Sequence, residues 1–333
     1  MQVGFFSWPF TPEIVRQMAE AADRYGFDMF GIADTPGNAM DPWVAMALAA
    51  QAAERTRLAM CVTNLTARHP ATTAAAIASI ELIAPGRAVL GLGTGHSGTR
   101  NLGVGNSPIA ELEDGVGFIR ALLAGEAAQW QGGPPAQLAW VRRPSPVFLS
   151  ASGPKALAAA GRCAEGCFIN FGLLRENLEQ SESAVTRAAI EAGRDPVEVE
   201  TWQIAALDCN RDHLAARTKI GAILAFMAGG YVLRSGDLRE RGVPEELHGA
   251  IRELRRRYST RPGAADAALV AELGLFDYLS ERFAIWGTPE QCRDQLLRAK
   301  AAGLKRVMFT VSIGSDPVGT VELFGREVLP ALR

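Results

Sequence analysis

Long hydrophobic runs are missing from this 333-residue chain: no window has the roughly 18 or more uninterrupted apolar residues of a membrane-spanning helix. Charge of one sign is missing too, since 34 lysines and arginines stand against 36 aspartates and glutamates, a formal charge of -2. A balance of that kind creates no field to recruit nucleic acid or an anionic membrane, which points to a small-molecule substrate as partner. Cysteine is sparse. Cys61, Cys163, Cys167, Cys209 and Cys292 are scattered, with neither the paired spacing of a zinc site nor the density of a secreted disulfide scaffold, so no metal is expected and a reduced, cytoplasmic setting fits. The opening VGFF reads as a strand and lacks the basic, apolar and small-residue order of a signal peptide. There is no low-complexity tract and no short-period repeat.

What the chain does have is apolar material, 48% of its residues, in a length that a single α/β barrel reaches with one continuous core. Short β-rich runs alternate with helical patterns, the signature of repeated βα units around a parallel sheet. The pattern predicts eight strands near Gln2–Phe6, Met29–Asp34, Leu58–Thr63, Ala88–Gly93, Val147–Ser150, Cys167–Asn170, Val199–Asp208 and Arg306–Val311. Eight suggests a closed (β/α)8 barrel, one domain over residues 1–333. Ile14, Met18, Ala21 and Ala22, and then Ile77, Ile80, Ile83 and Ala84, recur at helical spacing and should pack on the barrel exterior. Thr11-Pro12 and Thr288-Pro289 are N-cap signals, while Gly26 and Gly303 stand where helices should stop. Residues 212–283 carry helical patterns without a clear strand, plus the turn-like STRPG, and read as a helical excursion or lid over the barrel mouth. Within it Arg252, Arg255, Arg256 and Arg257 lie near Glu245, Glu246 and Glu253, which favours a solvated helix face over a phosphate site. Gly132, Gly133, Pro134 and Pro135 mark a connection ahead of the fifth strand.

In a parallel α/β protein the groups that follow the carboxyl ends of strands face the ligand. Asp34 ends the second strand, where its carboxylate can exchange a proton, bind a polar substrate or simply cap a turn. Thr63 and Asn64 end the third; an amide donates and accepts at once, as a heterocyclic ring edge requires, although turn formation is the plainer role of Asn64. Arg68 and His69 precede Pro70 and sit at a helix start, where His69 can cap or serve as an acid. The loop Gly93-Thr94-Gly95-His96-Ser97-Gly98-Thr99-Arg100 is neither a Walker loop nor a dinucleotide fingerprint. It offers close backbone approach, an acid in His96 and a cation in Arg100. After the fifth strand, Ser152-Gly153-Pro154 opens a helix whose free amides and hydroxyl can hold a phosphate, or where Ser152 acts as an ordinary cap. Phe5, Phe6, Ser7 and Trp8 supply an aromatic wall for a planar ligand, with Phe5 and Trp8, joined by Arg100, as the substrate candidates.

The run CVTNLTARHPATTAAAIASIELIAPGRAVLGLGTGHSGTRNLG, the later VFLSASGPKALAAAG and FAIWGTPEQCRDQLLRAKAAGLKRVMF together resemble, in order, blocks of the bacterial luciferase-like flavin and deazaflavin oxidoreductases, in the branch related to methylenetetrahydromethanopterin reductase. The resemblance implies a (β/α)8 barrel whose mouth holds FMN or coenzyme F420, an 8-hydroxy-5-deazaflavin. It implies that Cys61, Val62, Thr63 and Asn64 lie behind the ring, with Cys61–Val62 the position of a non-proline cis peptide. Thr94, Gly95 and His96 would border the ring edge or substrate, and Ser152, Gly153 and Pro154 the cofactor phosphate. Asp34 matches a position where relatives carry an acidic or histidine-containing motif, although Thr35-Pro36-Gly37-Asn38 departs from it. The leading expectation is an oxygenase acting on a small organic substrate with reduced FMN from a separate flavin reductase, His96 first and Asp34 second in proton transfer. The alternatives are a deazaflavin-dependent hydride transferase and a non-catalytic flavin-binding protein. Relatives are usually homodimers, and the alanine-rich Ala45–Ala53 and Ala71–Ala78 would allow close helix contact.

Overall fold

In the computed structural model, which describes residues 1–258, 266–311 and 316–333, all strand pairings of the main sheet are parallel. The strands are β1 (Gln2–Ser7), β2 (Met29–Ile32), β3 (Arg57–Thr63), β4 (Ala88–Leu92), β5 (Val147–Ala151), β6 (Gly166–Ile169), β7 (Glu200–Cys209), β8 (Ala284–Gly287) and β9 (Arg306–Val311). Eight of them close a barrel in the order β1 to β7 and then β9, with β9 pairing back to β1. The expected eight strands are thus present, and β8 is a ninth. Ala206 of β7 is matched to both Thr310 of β9 and Ala284 of β8, so β8 lies on the β7 edge opposite β9, continuing where β6 leaves off after Gln203.

The helices are α1 (Pro12–Tyr25), α2 (Pro42–Ala52), α3 (Pro70–Ile83), α4 (Ser97–Asn101), α5 (Ile109–Leu123), α6 (Pro154–Cys163), α7 (Arg175–Glu191), α8 (His213–Ala225), α9 (His248–Arg257), α10 (Asp266–Glu272), α11 (Phe276–Phe283), α12 (Pro289–Ala301) and α13 (Pro317–Glu327). Proline opens α1, α2, α3, α6, α12 and α13, where its fixed φ suits the first turn and its missing N–H costs no helical bond. Thr11 accepts from the Ile14 amide at 3.2 Å, Thr288 forms a capping box with Gln291, and Gly26 ends α1 at φ 74°.

Strand alternation divides the core. Met29, Ala59, Cys61, Val89, Phe148, Phe168, Trp202 and Met308 fill the barrel interior, while Phe5, Phe30, Leu58, Met60, Leu90 and Phe309 pack outward against the helices. Between β7 and β8 lie α8 to α11, with a π-helical turn over Phe226–Tyr231, around a separate core that includes Ile220, Leu224, Ile251, Leu254 and Phe283. Arg256 pairs with Glu253, Arg257 with Glu272 at 2.6 Å, and Arg255 donates to the carbonyls of Leu233 and Gly236, so three of the four arginines of α9 are engaged locally. The expected turn at residues 259–263 lies outside the described residues.

Candidate active site at the barrel mouth

The loops after β2, β3, β4 and β5 converge on a cavity of about 350 Å³ lined by Asp34, Val62, Thr63, Asn64, Thr94, Gly95, His96, Ser152, Gly153 and Pro154. A deeper, more apolar space of about 130 Å³ adjoins it, walled by Phe6, Trp8, Cys61, Phe168, Ile204, Phe226 and Met227. Asp34, Val62, His96, Ser97, Ser150 and Tyr231 border both. Most of the residues singled out in the sequence therefore meet in one place.

Two do not. Phe5 is fully buried on the outer side of β1, edge-on to Phe27 at 4.9 Å, because alternation turns the neighbouring residue, Phe6, into the mouth instead. Arg100 sits exposed on α4, behind His96 rather than on the cavity wall, with Nη2 3.2 Å from the imidazole Nε2.

At the end of β3 the Cys61–Val62 peptide bond is cis, and the register with β4 shifts between Met60 and Thr63. The Thr63 hydroxyl donates to Asp34 Oδ2 at 2.6 Å. Burial raises the Asp34 pKa from the usual carboxylate range, with the Thr63 bond and the Arg68 charge opposing it. Asn64 Oδ1 accepts from the Thr66 amide, the Thr66 hydroxyl and the Ala67 amide at 2.8–3.1 Å, the turn-forming role, which leaves its side-chain amide hydrogens to the cavity. His69 caps α3, accepting from the Ala71 amide at 3.2 Å, and Arg68 is paired with Asp41.

The imidazole of His96 is held by a residue far away in sequence. Its Nε2 lies 2.9 Å from the carbonyl oxygen of Gly230 in the π-helical turn. A carbonyl only accepts, so that bond assigns the hydrogen to Nε2 and leaves Nδ1 as a lone pair; Arg100 cannot then also donate to Nε2. Burial lowers the His96 pKa, the Gly230 bond opposes this, and the Arg100 and Arg234 charges add to the lowering. Tyr231 packs edgewise on the ring at 4.9 Å and Phe226 at 5.9 Å.

At the other end of the cavity, Gly153 is the N-cap of α6 and no side chain caps that helix, Ser152 included. The Arg241 guanidinium fills the space beside it: a Cβ on Gly153 would lie 2.6 Å from Arg241 Nη1. That Nη1 is buried and without a hydrogen-bond partner. A free helix terminus, a serine hydroxyl and an unpartnered guanidinium form a site suited to an anion such as phosphate. Tyr231 and Arg241 were not singled out in the sequence. Both come from the excursion, in a glycine pair followed by tyrosine and in a charge-rich RERG that carry no signature of a site.

A model of the luciferase-like monooxygenase family matches residues 6–306. The chain belongs to this family. It is 27% identical over 321 residues to a 5,10-methylenetetrahydromethanopterin reductase of Methanolobus tindarius, covering 95% of each chain. Among solved structures of the luciferase-like fold, the coenzyme F420 dependent tetrahydromethanopterin reductase of Methanopyrus kandleri superposes with TM-score 0.80 at 24% identity, covering 100% of both chains. A monooxygenase from Streptomyces bottropensis superposes with TM-score 0.70 at 20% identity, again over 100% of both. The luciferase-like barrel and the likeness to the methylenetetrahydromethanopterin reductase branch thus stand as the sequence blocks implied, and with them an oxidoreductase. No helix among the described residues is long and apolar enough to cross a membrane.

Proposed function

We propose that this protein is a deazaflavin-dependent oxidoreductase that exchanges a hydride between coenzyme F420 and a small organic substrate at the barrel mouth. The observation that carries the proposal is the near end-to-end match to a methylenetetrahydromethanopterin reductase, 95% of both chains. It reverses the order of the two sequence expectations. The oxygenase fed with reduced FMN by a separate reductase is supported by likeness to monooxygenase barrels at the level of fold alone.

The residues present fit such a cofactor. The α6 terminus at Ser152 and Gly153 with Arg241 would hold its phosphate, and Val62, Asn64, Thr94 and Gly95 would border its ring. When bound, the deazaflavin supplies the carbon that gives or takes a hydride. The protein handles the accompanying proton. Thr63 occupies Asp34 Oδ2, so Oδ1 is the oxygen that can carry a proton, and burial favours that protonated form. His96 Nδ1 is the matching acceptor, held neutral by burial and by the cations beside it. Burial thus moves the two groups in opposite directions, favouring a proton on Asp34 and a free lone pair on His96, so each is a candidate for the one proton that accompanies the hydride. Phe226, Met227 and Tyr231 of the excursion help wall off water from the inner space.

A parallel titration of the apo-protein with coenzyme F420, FMN and reduced FMN tests the reading. Selective binding of coenzyme F420, with no oxygen uptake in turnover, is the expected result. Tight FMN binding with oxygen consumption would return the oxygenase to first place, and a bound flavin inert to reductant and oxygen would indicate a binding protein.

The homodimer belongs to the same proposal. α2 bears no charged residue, and the one on α3, Glu81, is buried, while Val44, Leu82 and Ile83 stand 54%, 52% and 46% exposed. Val44 at the start of α2 and Leu82 and Ile83 at the end of α3 leave apolar side chains uncovered on neighbouring helices, which supports pairing with a second copy through them.

A further inference from the structure

Arg282, at the end of α11, is completely buried, yet among the described residues no carboxylate forms an ion pair with it, and Glu176 acts on it only through its charge at longer range. All five of its N–H donors are used on neutral oxygens. Nε and Nη2 donate to the Phe171 carbonyl at 3.2 and 2.8 Å, Nη1 to the Gly242 carbonyl at 3.0 Å and the Tyr278 hydroxyl at 2.6 Å, and Nη2 also to the Arg241 carbonyl at 2.5 Å. Burying a guanidinium among carbonyl dipoles is costly, and a hydrophobic side chain would serve ordinary packing at less cost. The backbone is shaped to admit it. Gly172, at φ 128°, passes so close that a Cβ would lie 2.8 Å from Arg282 Cγ, and Gly242 turns at φ 63° to present its carbonyl.

The oxygens it gathers are not random. Phe171 follows β6 of the barrel, and Arg241 and Gly242 belong to the excursion, so one side chain fixes the excursion to the barrel at the residue whose own guanidinium lies against Gly153. The geometry points to Arg282 as a positioning residue: by clamping the backbone of Arg241 and Gly242 to that of Phe171, it aims the Arg241 guanidinium at the anion end of the cavity. The inference rests on the reading of that end as the cofactor-phosphate site. Arg282 itself stays out of the cavity and touches no ligand. Its substitution should therefore weaken recognition of the phosphate and leave recognition of the ring alone.

The test compares binding of 8-hydroxy-5-deazariboflavin with binding of its 5′-phosphate, two probes that differ by the phosphate alone. Wild type should prefer the phosphate ester, and Arg241→Gln should reduce that preference. Arg282→Lys, which keeps the charge but not the fork, should reduce it about tenfold, the scale of one charge-assisted hydrogen bond, with the affinity for the phosphate-free ring changed less than about twofold. In an Arg241→Gln background, Arg282→Lys should cost no further preference. If Arg282→Lys does not fold, Tyr278→Phe removes one oxygen of the clamp and keeps the ring, and a smaller loss of preference with ring affinity intact supports the proposal. A wild type without phosphate preference would overturn the phosphate site and the inference together. A clear wild-type preference that survives in the Arg282 or Tyr278 variant, or a loss shared equally by both probes, would overturn the inference and leave the site standing.

Discussion

His96 and Asp34 face one cavity with ionisation tendencies moved in opposite directions, and pH should separate them. Turnover that needs neutral His96 should fall only at pH below the usual imidazole range, since burial lowers that pKa. Turnover that needs protonated Asp34 should persist to higher pH than an ordinary aspartate allows, since burial raises that one. His96→Ala should reduce kcat on the order of 10²-fold while leaving the cofactor Kd nearly unchanged, checked by steady-state kinetics beside a binding titration. An unchanged kcat would remove His96 from the reaction. Asp208 offers a stability test of a different kind. It is buried, both carboxyl oxygens lack a hydrogen-bond partner, and Lys219 stands 3.9 Å away. Its pKa is pushed up to about 6 from 3.8 by burial, against which the Lys219 charge acts. A folded-state pKa above the unfolded one contributes stability that is complete at low pH and is lost as pH rises through about 6. Asp208→Asn should accordingly flatten the pH dependence of Tm, gaining on wild type by about 2–3 kcal/mol between pH 4 and pH 8. A parallel pair of Tm profiles would show that the carboxylate is not penalised by the fold.

Among the elements, the π-helical turn Phe226–Tyr231 matters most to the site, because it presents the Gly230 carbonyl to His96 and the Tyr231 ring to both parts of the cavity. A Cβ on Gly230 would lie 2.7 Å from a ring carbon of Tyr258. Gly230→Ala should therefore destabilise by about 1–3 kcal/mol and lower kcat with it, measured by thermal unfolding and kinetics on one preparation. Retained kcat would mean that the Gly230 bond does not set the imidazole. The sequence made the barrel strands legible because their apolar runs are bounded by turn residues, and the capped helices legible through threonine followed by proline. β8 was hidden because Ala284–Gly287 is four residues long and follows directly on the apolar face of α11. In β1, two adjacent phenylalanines are both largely covered, so composition could not tell which one faces the mouth. The loops after β2 to β5 were readable as site because topology alone places them there. Tyr231 and Arg241 were not, since an excursion without regular alternation gives no rule for which side chains turn inward.

For the molecule as a whole, light scattering at micromolar concentration should report a dimer, and Val44→Glu, which puts a charge on the exposed face of α2, should shift it toward monomer. A wild type that scatters as a monomer would refute the pairing.

β8 has a consequence for how such a molecule can change. Four residues of β8 pair with Ala206–Cys209, and the Asn210 amide donates to the Gly287 carbonyl at 2.9 Å, so the chain leaves the barrel and re-enters it through one narrow doorway. To the closed sheet, whatever lies beyond that doorway is a single attachment, and lengthening it adds only slowly to the entropy of closure. The segment between the two door posts is thus open to exchange as a cassette, but with it go the Gly230 carbonyl that holds His96 and the Arg241 guanidinium beside Gly153, so a replacement must restore both contacts to the residues that stay with the closed sheet.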